Sequence, residues 1–348
     1  MPHSPSFACR LIAWQKTSGR HGLAWQVSDP YCVWLSEIML QQTQVATVSA
    51  YYPRFLAAFP NVHALAAAAQ DEVLALWAGL GYYSRARNLH KAAQQIVSDF
   101  GGTFPAERRE LETLCGVGRS TAAAIAAFAF KQRETILDGN VKRVLCRVFA
   151  LDGNPADKAF EQQLWTVAES LLPECADDMP AYTQGLMDLG ATVCKRSKPD
   201  CPACPMTDIC QAKAQNRTAE LPRRKVSAAV PEVPLFWLKL TNGKGEILLV
   251  KRPQQGIWAG LYCLPCFDDE TALHRFAAAW GIAPVHLRAD TPVKHRLTHR
   301  LLRIAPFAAT LPDPHPTPEC NGTWVSANAL ANHGLPKPLA RYLAPSNL

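Results

Sequence analysis

Six residues stand out by type and spacing: the carboxylates Glu37 and Asp138, and four of the twelve cysteines. The cysteines run Cys194-x6-Cys201-x2-Cys204-x5-Cys210, with Pro199, Pro202 and Pro205 stiffening the loops between them. Four thiols gathered so closely make a compact metal site. Zinc takes four thiolates and an iron–sulfur cubane needs the same number, so the spacing leaves both metals open. The first loop of the cluster carries Lys195, Arg196 and Lys198. A metal-braced basic loop suits a phosphate backbone, and a solvated charge run is the alternative.

Glu37 is the one acid in the largely apolar run from Tyr31 to Val45. Among Trp34, Ile38 and Leu40 a carboxyl would be desolvated, which raises its pKa and lets it hold a proton near neutrality; on the solvent face it would do nothing of the kind. Asp138 stands before Gly139-Asn140-Val141, at the start of a helix whose face is marked by Val141, Val144, Leu145 and Val148. An aspartate there is an ordinary N-cap. The same position also holds a carboxylate rigidly at the mouth of a cleft.

The elements that must position these groups are helical. Leu114-Cys115-Gly116-Val117-Gly118-Arg119 suits a tight hairpin with positive φ at its glycines. Ser120 to Phe130, with six alanines, reads as a buried helix with Ser120 at its cap. A hairpin followed by exposed helix-start N–H groups can hold a DNA phosphate without sequence preference, or be a plain helix-to-helix turn. Residues 61–78 read as helix, and Gly79-Leu80-Gly81 breaks it before Tyr82 and Tyr83. With Arg85 and Arg87 that turn offers a ring to stack on bases and cations for phosphates, or a packed helix junction. Trp14 and Trp25 anchor the N-terminal segment.

At 348 residues the chain is long enough for two cores, and its formal charge of +7 favours a polyanionic partner without requiring one. Neither a signal peptide nor a bilayer-length apolar run is visible, so a soluble, cytoplasmic protein is expected, nucleoid-associated in a prokaryote. After Gln211 the chain turns polar and proline-rich through Pro234, as a linker does. The pattern then shifts to strands: Leu235–Leu240 and Ile247–Val250 flank an Asn242-Gly243-Lys244-Gly245 turn as a hairpin, and Leu301–Ile304 and Thr323–Val325 follow a helix near Leu273–Trp280. The C-terminal part is therefore α+β.

Taken together, these residues make the chain resemble the MutY family of adenine DNA glycosylases along nearly its whole length. The resemblance rests on Trp34-Leu35-Ser36-Glu37-Ile38-Met39-Leu40-Gln41-Gln42-Thr43-Gln44-Val45, the hairpin with its downstream Asp138-Gly139-Asn140-Val141, the cysteine spacing and the appended C-terminal part. It implies a multidomain protein: an all-α helix-hairpin-helix glycosylase domain over 1–215, a linker over 216–232, and an α+β Nudix-like domain over 233–348. Within the first, the hairpin motif spans about 111–130 and the cluster loop 194–210. It further implies a [4Fe–4S] cluster on Cys194, Cys201, Cys204 and Cys210, and a monomer acting on duplex DNA.

The implied reaction is hydrolysis of the N-glycosidic bond of adenine mispaired with 8-oxoguanine or guanine, after the base is flipped from the duplex. By resemblance Glu37 is the acid that protonates adenine, Asp138 stabilises the oxocarbenium-like sugar by charge or a transient covalent bond, and Asn140 lies near that sugar. Gln42 and Tyr82 match positions that insert into the duplex; the hairpin and the basic loop make Gly116, Gly118, Ser120, Lys195, Arg196 and Lys198 the remaining expected DNA contacts. Ser120 stands where strand-cleaving relatives carry lysine, since a Schiff base needs an amine. A monofunctional glycosylase is expected, with a bifunctional endonuclease III-like pyrimidine glycosylase and AP lyase as the alternative, and Lys142 as the nearest amine.

The C-terminal part resembles the Nudix-related domain that reads 8-oxoguanine, through Lys251-Arg252-Pro253-Gln254-Gln255-Gly256-Ile257-Trp258-Ala259-Gly260-Leu261-Tyr262. Where a Nudix hydrolase places metal-binding glutamates, aligned on Gly281, stand Arg275, Ala278 and Ala279. A divalent-metal hydrolase would lack its oxygen ligands. The family's Phe-Ser-His loop matches Leu297-Thr298-His299, with only His299 identical. A noncatalytic DNA-binding protein on the same fold is the third reading, and retention of Glu37 and Asp138 argues against it.

Overall fold

The computed structural model describes residues 6–223, 230–311, 316 and 318–344. The chain divides into two units, Met1–Ala67 with Lys91–Ser227, and Ala68–His90 with Ala228–Leu348. The second unit thus includes a stretch from the middle of the expected helical domain. Among the described residues no helix is long and apolar enough to cross a membrane.

The helices before the sheet are α1 (Phe7–Ser18), α2 (Pro30–Leu40), α3 (Val45–Ala58), α4 (Val62–Ala67), α5 (Gln70–Trp77), α6 (Ser84–Phe100), α7 (Arg108–Leu111), α8 (Arg119–Phe130), α9 (Gly139–Val148), α10 (Lys158–Ser170), α11 (Met179–Asp188) and α12 (Gln211–Ala214). In the first unit α2 starts at the Asp29 side chain, which accepts from the Cys32 N–H at 2.9 Å, with Pro30 in the first turn where its missing donor costs nothing. It packs on α8, whose buried alanines from Ala122 to Ala127 let the two backbones come close. The core beneath them gathers Leu11, Ala124, Ile136, Val141, Leu145, Tyr182, Leu186 and Leu189. A single π-helical turn, Leu189–Val193, bends the chain out of α11 toward Cys194.

The linker expected over 216–232 starts as docked structure. Leu221 is buried, the Arg223 N–H donates to the Gly153 carbonyl at 3.1 Å, and Arg217 and Arg223 both pair with Asp152. Polar composition suggested a free chain, yet two arginines meeting one carboxylate fix residues 217–223 to the first unit. Residues 224–229 lie outside the described set, and the first strand opens at Glu232, inside the expected linker.

The second unit holds a mixed sheet of β1 (Glu232–Thr241), β2 (Ile247–Lys251), β3 (Tyr262–Cys263), β4 (Cys266–Phe267), β5 (Arg288–Ala289), β6 (Val293–Arg296), β7 (Leu301–Thr310) and β8 (Gly322–Val325), with helices α13 (Glu270–Ala279) and α14 (Lys337–Leu343). The expected turn is present: Asn242 accepts from Lys244 and Glu246 N–H groups, and Gly245 takes φ +76°. However, β1 and β2 meet at Thr241 and Ile247 alone, while β1 runs parallel with β7 from Glu232–Leu301 to Thr241–Thr310. Leu238, Leu240, Leu248, Leu273, Ala277 and Trp280 form the core between sheet and α13.

Candidate active site

Glu37 and Asp138 line the same cleft, about 1000 Å³ in volume, in the first unit. Glu37 sits half-buried on α2 and faces into this cleft, so the solvent-face alternative does not hold. Burial first, and the nearby Asp138 charge second, push its carboxyl up to about 8. Asp138 is the N-cap of α9, with Oδ1 accepting from Asn140 and Val141 N–H groups at 2.9 and 2.8 Å. Asn140 Nδ2 donates to the other oxygen at 3.4 Å. One carboxyl is thus set to hold a proton, and the other is fixed in orientation by its own helix.

Sequence reading missed the residue behind Asn140. Arg143, one turn along α9, donates to Asn140 Oδ1 at 2.9 Å, to the Gly190 carbonyl at 2.8 Å and to the Cys194 carbonyl at 2.9 Å. Its i+3 spacing from Asn140 was the available signal. Gly190 was missed too: a Cβ there would lie 2.5 Å from Asn140 Cβ. The π-helical turn can therefore abut the start of α9 only because this position is bare.

Cys194, Cys201, Cys204 and Cys210 are unpaired thiols lining one small cavity with Val144, Val148 and Leu189. Among the described residues no three His, Cys, Asp or Glu side chains converge as a single ion would require. Burial pushes the Cys204 thiol up to about 11, so a thiolate there needs a bound cation to hold it. Arg147, buried, secures the loop by donating to the carbonyls of Lys195, Arg196 and Leu221 at 2.7, 3.2 and 3.1 Å, and it reaches the Cys194 sulfur at 3.4 Å. Lys195, Arg196 and Lys198 are exposed; Lys195 and Arg196 line clefts that Glu37 also lines, and Lys198 lines neither.

The hairpin differs in detail from expectation. Gly116 has φ +79°, whereas Gly118 has an ordinary extended conformation, caps α8 through its backbone, and faces open space where a Cβ would sit. Ser120 is not the cap. Its Oγ accepts from the Leu137 N–H at 3.0 Å and so ties α8 to the segment that delivers Asp138. Gln41 Nε2 reaches the Gly116 carbonyl at 3.4 Å, and exposed Gln42 takes φ +56° at the cleft edge. Lys142 pairs with Glu161 at 2.5 Å and does not line the cleft, so no amine is offered from that position.

In the second unit, exposed Tyr82, at φ +47°, places its hydroxyl 3.4 Å from Thr298 Oγ1. Thr298 and His299 are exposed and Leu297 half-buried, at a turn closed by the Leu297 N–H on the Arg300 carbonyl. Arg85 does not serve phosphates: it is buried, donates to the Leu80 and Gly81 carbonyls and lies over Trp77. Tyr83 is buried as well, so the packed-junction reading holds for both.

Comparison with known proteins matches these parts in order. Residues 35–170 match the HhH-GPD superfamily of base excision DNA repair proteins, and residues 236–345 a NUDIX domain. The "Adenine DNA glycosylase" of Buchnera aphidicola subsp. Baizongia pistaciae is 35% identical over 335 residues, covering 96% of this chain and 94% of the relative. The chain belongs to the adenine DNA glycosylases. It is accordingly a hydrolase acting on N-glycosyl bonds, with a helical HhH-GPD fold followed by a Nudix-like domain. The human "Adenine DNA glycosylase" is 44% identical, over 81% of this chain and 61% of the relative. The structure of a thermostable thymine-DNA glycosylase is similar at TM-score 0.54 and 27% identity, covering 60% of this chain and 95% of that one.

Proposed function

We propose that the chain excises adenine mispaired with 8-oxoguanine or guanine in duplex DNA, with Glu37 and Asp138 as its catalytic residues and no strand cleavage of its own. The observation that carries this reading is Glu37, whose carboxyl pKa burial and the nearby Asp138 raise, sharing a cleft with Asp138, whose orientation the start of α9 fixes. Glu37 gives its proton to a ring nitrogen of the flipped base, and the C1′–N9 bond breaks as adenine leaves neutral. Asp138 stabilises the oxocarbenium-like sugar, by charge or by a transient bond to C1′, and Asn140 stands beside it. A water then adds its hydroxide at C1′ and returns its proton to the Glu37 carboxylate, which regenerates the starting acid.

DNA is held by Gly116 and Gly118, where a bare position beside helix-start N–H groups admits a phosphate, with Ser120 bracing the hairpin and Lys195, Arg196 and Lys198 adding charge. Gln42 and Tyr82, both exposed at positive φ, are the inserting side chains, and Leu297, Thr298 and His299 read the opposite base. Cys194, Cys201, Cys204 and Cys210 hold a [4Fe–4S] cluster. All four cysteines line one small cavity, and four thiolates are the donor set such a cluster takes. The cluster, when bound, supplies a thiolate-anchored brace for the basic loop.

The test is incubation with duplexes carrying adenine opposite 8-oxoguanine, guanine or thymine, followed by alkali. Abasic sites opposite the first two support the proposal; release of an oxidised pyrimidine, or strand breaks without alkali, overturns it. Iron analysis of anaerobically purified protein should give about four irons per chain. Stoichiometric zinc without iron would overturn the cluster assignment.

A further inference from the structure

The second unit contains three cysteines that none of this chemistry uses, and two of them, Cys263 and Cys266, lie side by side. Cys263 ends β3 and Cys266 opens β4, separated by Leu264-Pro265. Their sulfurs share a hydrogen bond at 3.4 Å. Cys263 is fully buried and Cys266 half-buried, so Cys266 is the less enclosed of the two. Two buried donors accompany them. Trp237 Nε1 and Arg252 Nε are both buried, and among the described residues Arg252 Nε has no hydrogen-bond partner, an expensive state for a buried N–H group. Trp237 lies directly across the β1–β4 pair from Cys266.

We propose that Cys263 and Cys266 form a redox-active dithiol, which a small peroxide converts into an intradomain disulfide. The surroundings define the roles. The Cys263 hydrogen bond, followed by the Arg252 charge and the Trp237 N–H, lowers the Cys266 thiol against the opposing effects of burial and Asp268. Burial and the same hydrogen bond hold Cys263 protonated. When protonated, Cys266 donates to the Leu264 carbonyl at 3.0 Å. Cys266, the less enclosed of the two, is assigned the attacking role, because reactivity follows access as well as thiolate character. Cys263, sealed from solvent, is open only to its neighbour.

The Cys266 thiolate attacks one oxygen of hydrogen peroxide; the O–O bond breaks, and the departing hydroxide takes a solvent proton to become water. Cys266 is left as a sulfenic acid. The Cys263 sulfur then attacks the Cys266 sulfur, the S–O bond breaks, and the leaving hydroxide takes the Cys263 proton. Two thiols and one peroxide give one disulfide and two waters. A bulky disulfide oxidant is disfavoured because the second sulfur is buried.

Full-length protein, reduced and desalted, would be treated with graded hydrogen peroxide, quenched with catalase, alkylated in denaturant and analysed peptide by peptide by mass spectrometry. The peptide bearing both cysteines should lose two hydrogens and its alkylation at both positions, before exposed Cys9 and Cys175 oxidise, and dithiothreitol should restore it. Cys266→Ser should leave Cys263 fully alkylated. Trp237→Phe, which keeps the ring and removes the N–H, should slow oxidation of the pair several-fold. Recovery of both cysteines as alkylated thiols after Cys9 and Cys175 have oxidised would overturn the proposal. So would persistent sulfenic acid on Cys266 beside a free Cys263 in the unsubstituted protein.

Discussion

The Arg143 guanidinium stands 2.9 Å from the Cys194 carbonyl oxygen. The same side chain holds Asn140, so the cysteine loop and the start of α9 share one charged bracket. Arg143→Ala should lower stability by about 1.5–3 kcal/mol for each charged hydrogen bond it removes, and it should slow adenine release through Asn140. Thermal unfolding and single-turnover rates check this. An unchanged rate in a folded variant would show that Asn140 needs no such support.

Gly190→Ala puts a methyl 2.5 Å from Asn140 Cβ, well inside contact distance. Relief requires the π-helical turn or the head of α9 to move, at a cost of about 1–3 kcal/mol for overpacking. The expected outcome is a lower melting temperature with a fall in single-turnover rate larger than the fall in DNA affinity. Gly118→Ala meets open space within the protein. It should leave stability nearly unchanged and weaken DNA binding instead.

How far the site was legible depends on range in sequence. Asp138 was readable as a cap because Asp-Gly-Asn stands immediately before an apolar helical face, and the interaction spans three residues. Glu37 was not decidable, because α2 is apolar on all sides and its pattern names no solvent face. Ser120 looked like a cap, but its hydroxyl went to Leu137, seventeen residues away. The parallel β1–β7 pairing and the grouping of Ala68–His90 with the C-terminal unit are nonlocal and leave no periodic trace. Arg217 and Arg223 read as linker polarity until Asp152 was seen to collect them both.

Exposed Lys195 and Arg196 line clefts shared with Glu37. Replacing either with alanine should reduce the salt slope of DNA binding by about one for each phosphate left without its neutralising cation. Lys198 lines neither cleft, and its replacement should change the slope less. Equal slopes for all the variants and the parent would leave the loop as a solvated surface.

Because Glu37 is held at about 8, its carboxyl keeps its proton through neutrality. The single-turnover rate should hold at neutral pH and fall as pH rises through about 8. The sign for stability follows from the same shift. Above the ordinary carboxylate range the unfolded chain releases a proton that the folded one retains, so stability declines as pH rises toward the folded value. Glu37→Gln removes that dependence, and its melting temperature at alkaline pH should exceed that of the unsubstituted protein. A lower one would mean that the ionised carboxylate is favourably held.

We propose that Glu37 and Asp138 act on the transition state and not on DNA affinity. The direct measurement compares Glu37→Gln and Asp138→Asn with the unsubstituted protein in single-turnover release of adenine opposite 8-oxoguanine, with dissociation constants measured on the same duplex. Both variants should bind the mismatch nearly as tightly and release no measurable adenine. Near-normal release by either variant, or loss of release fully matched by loss of binding, would contradict the claim.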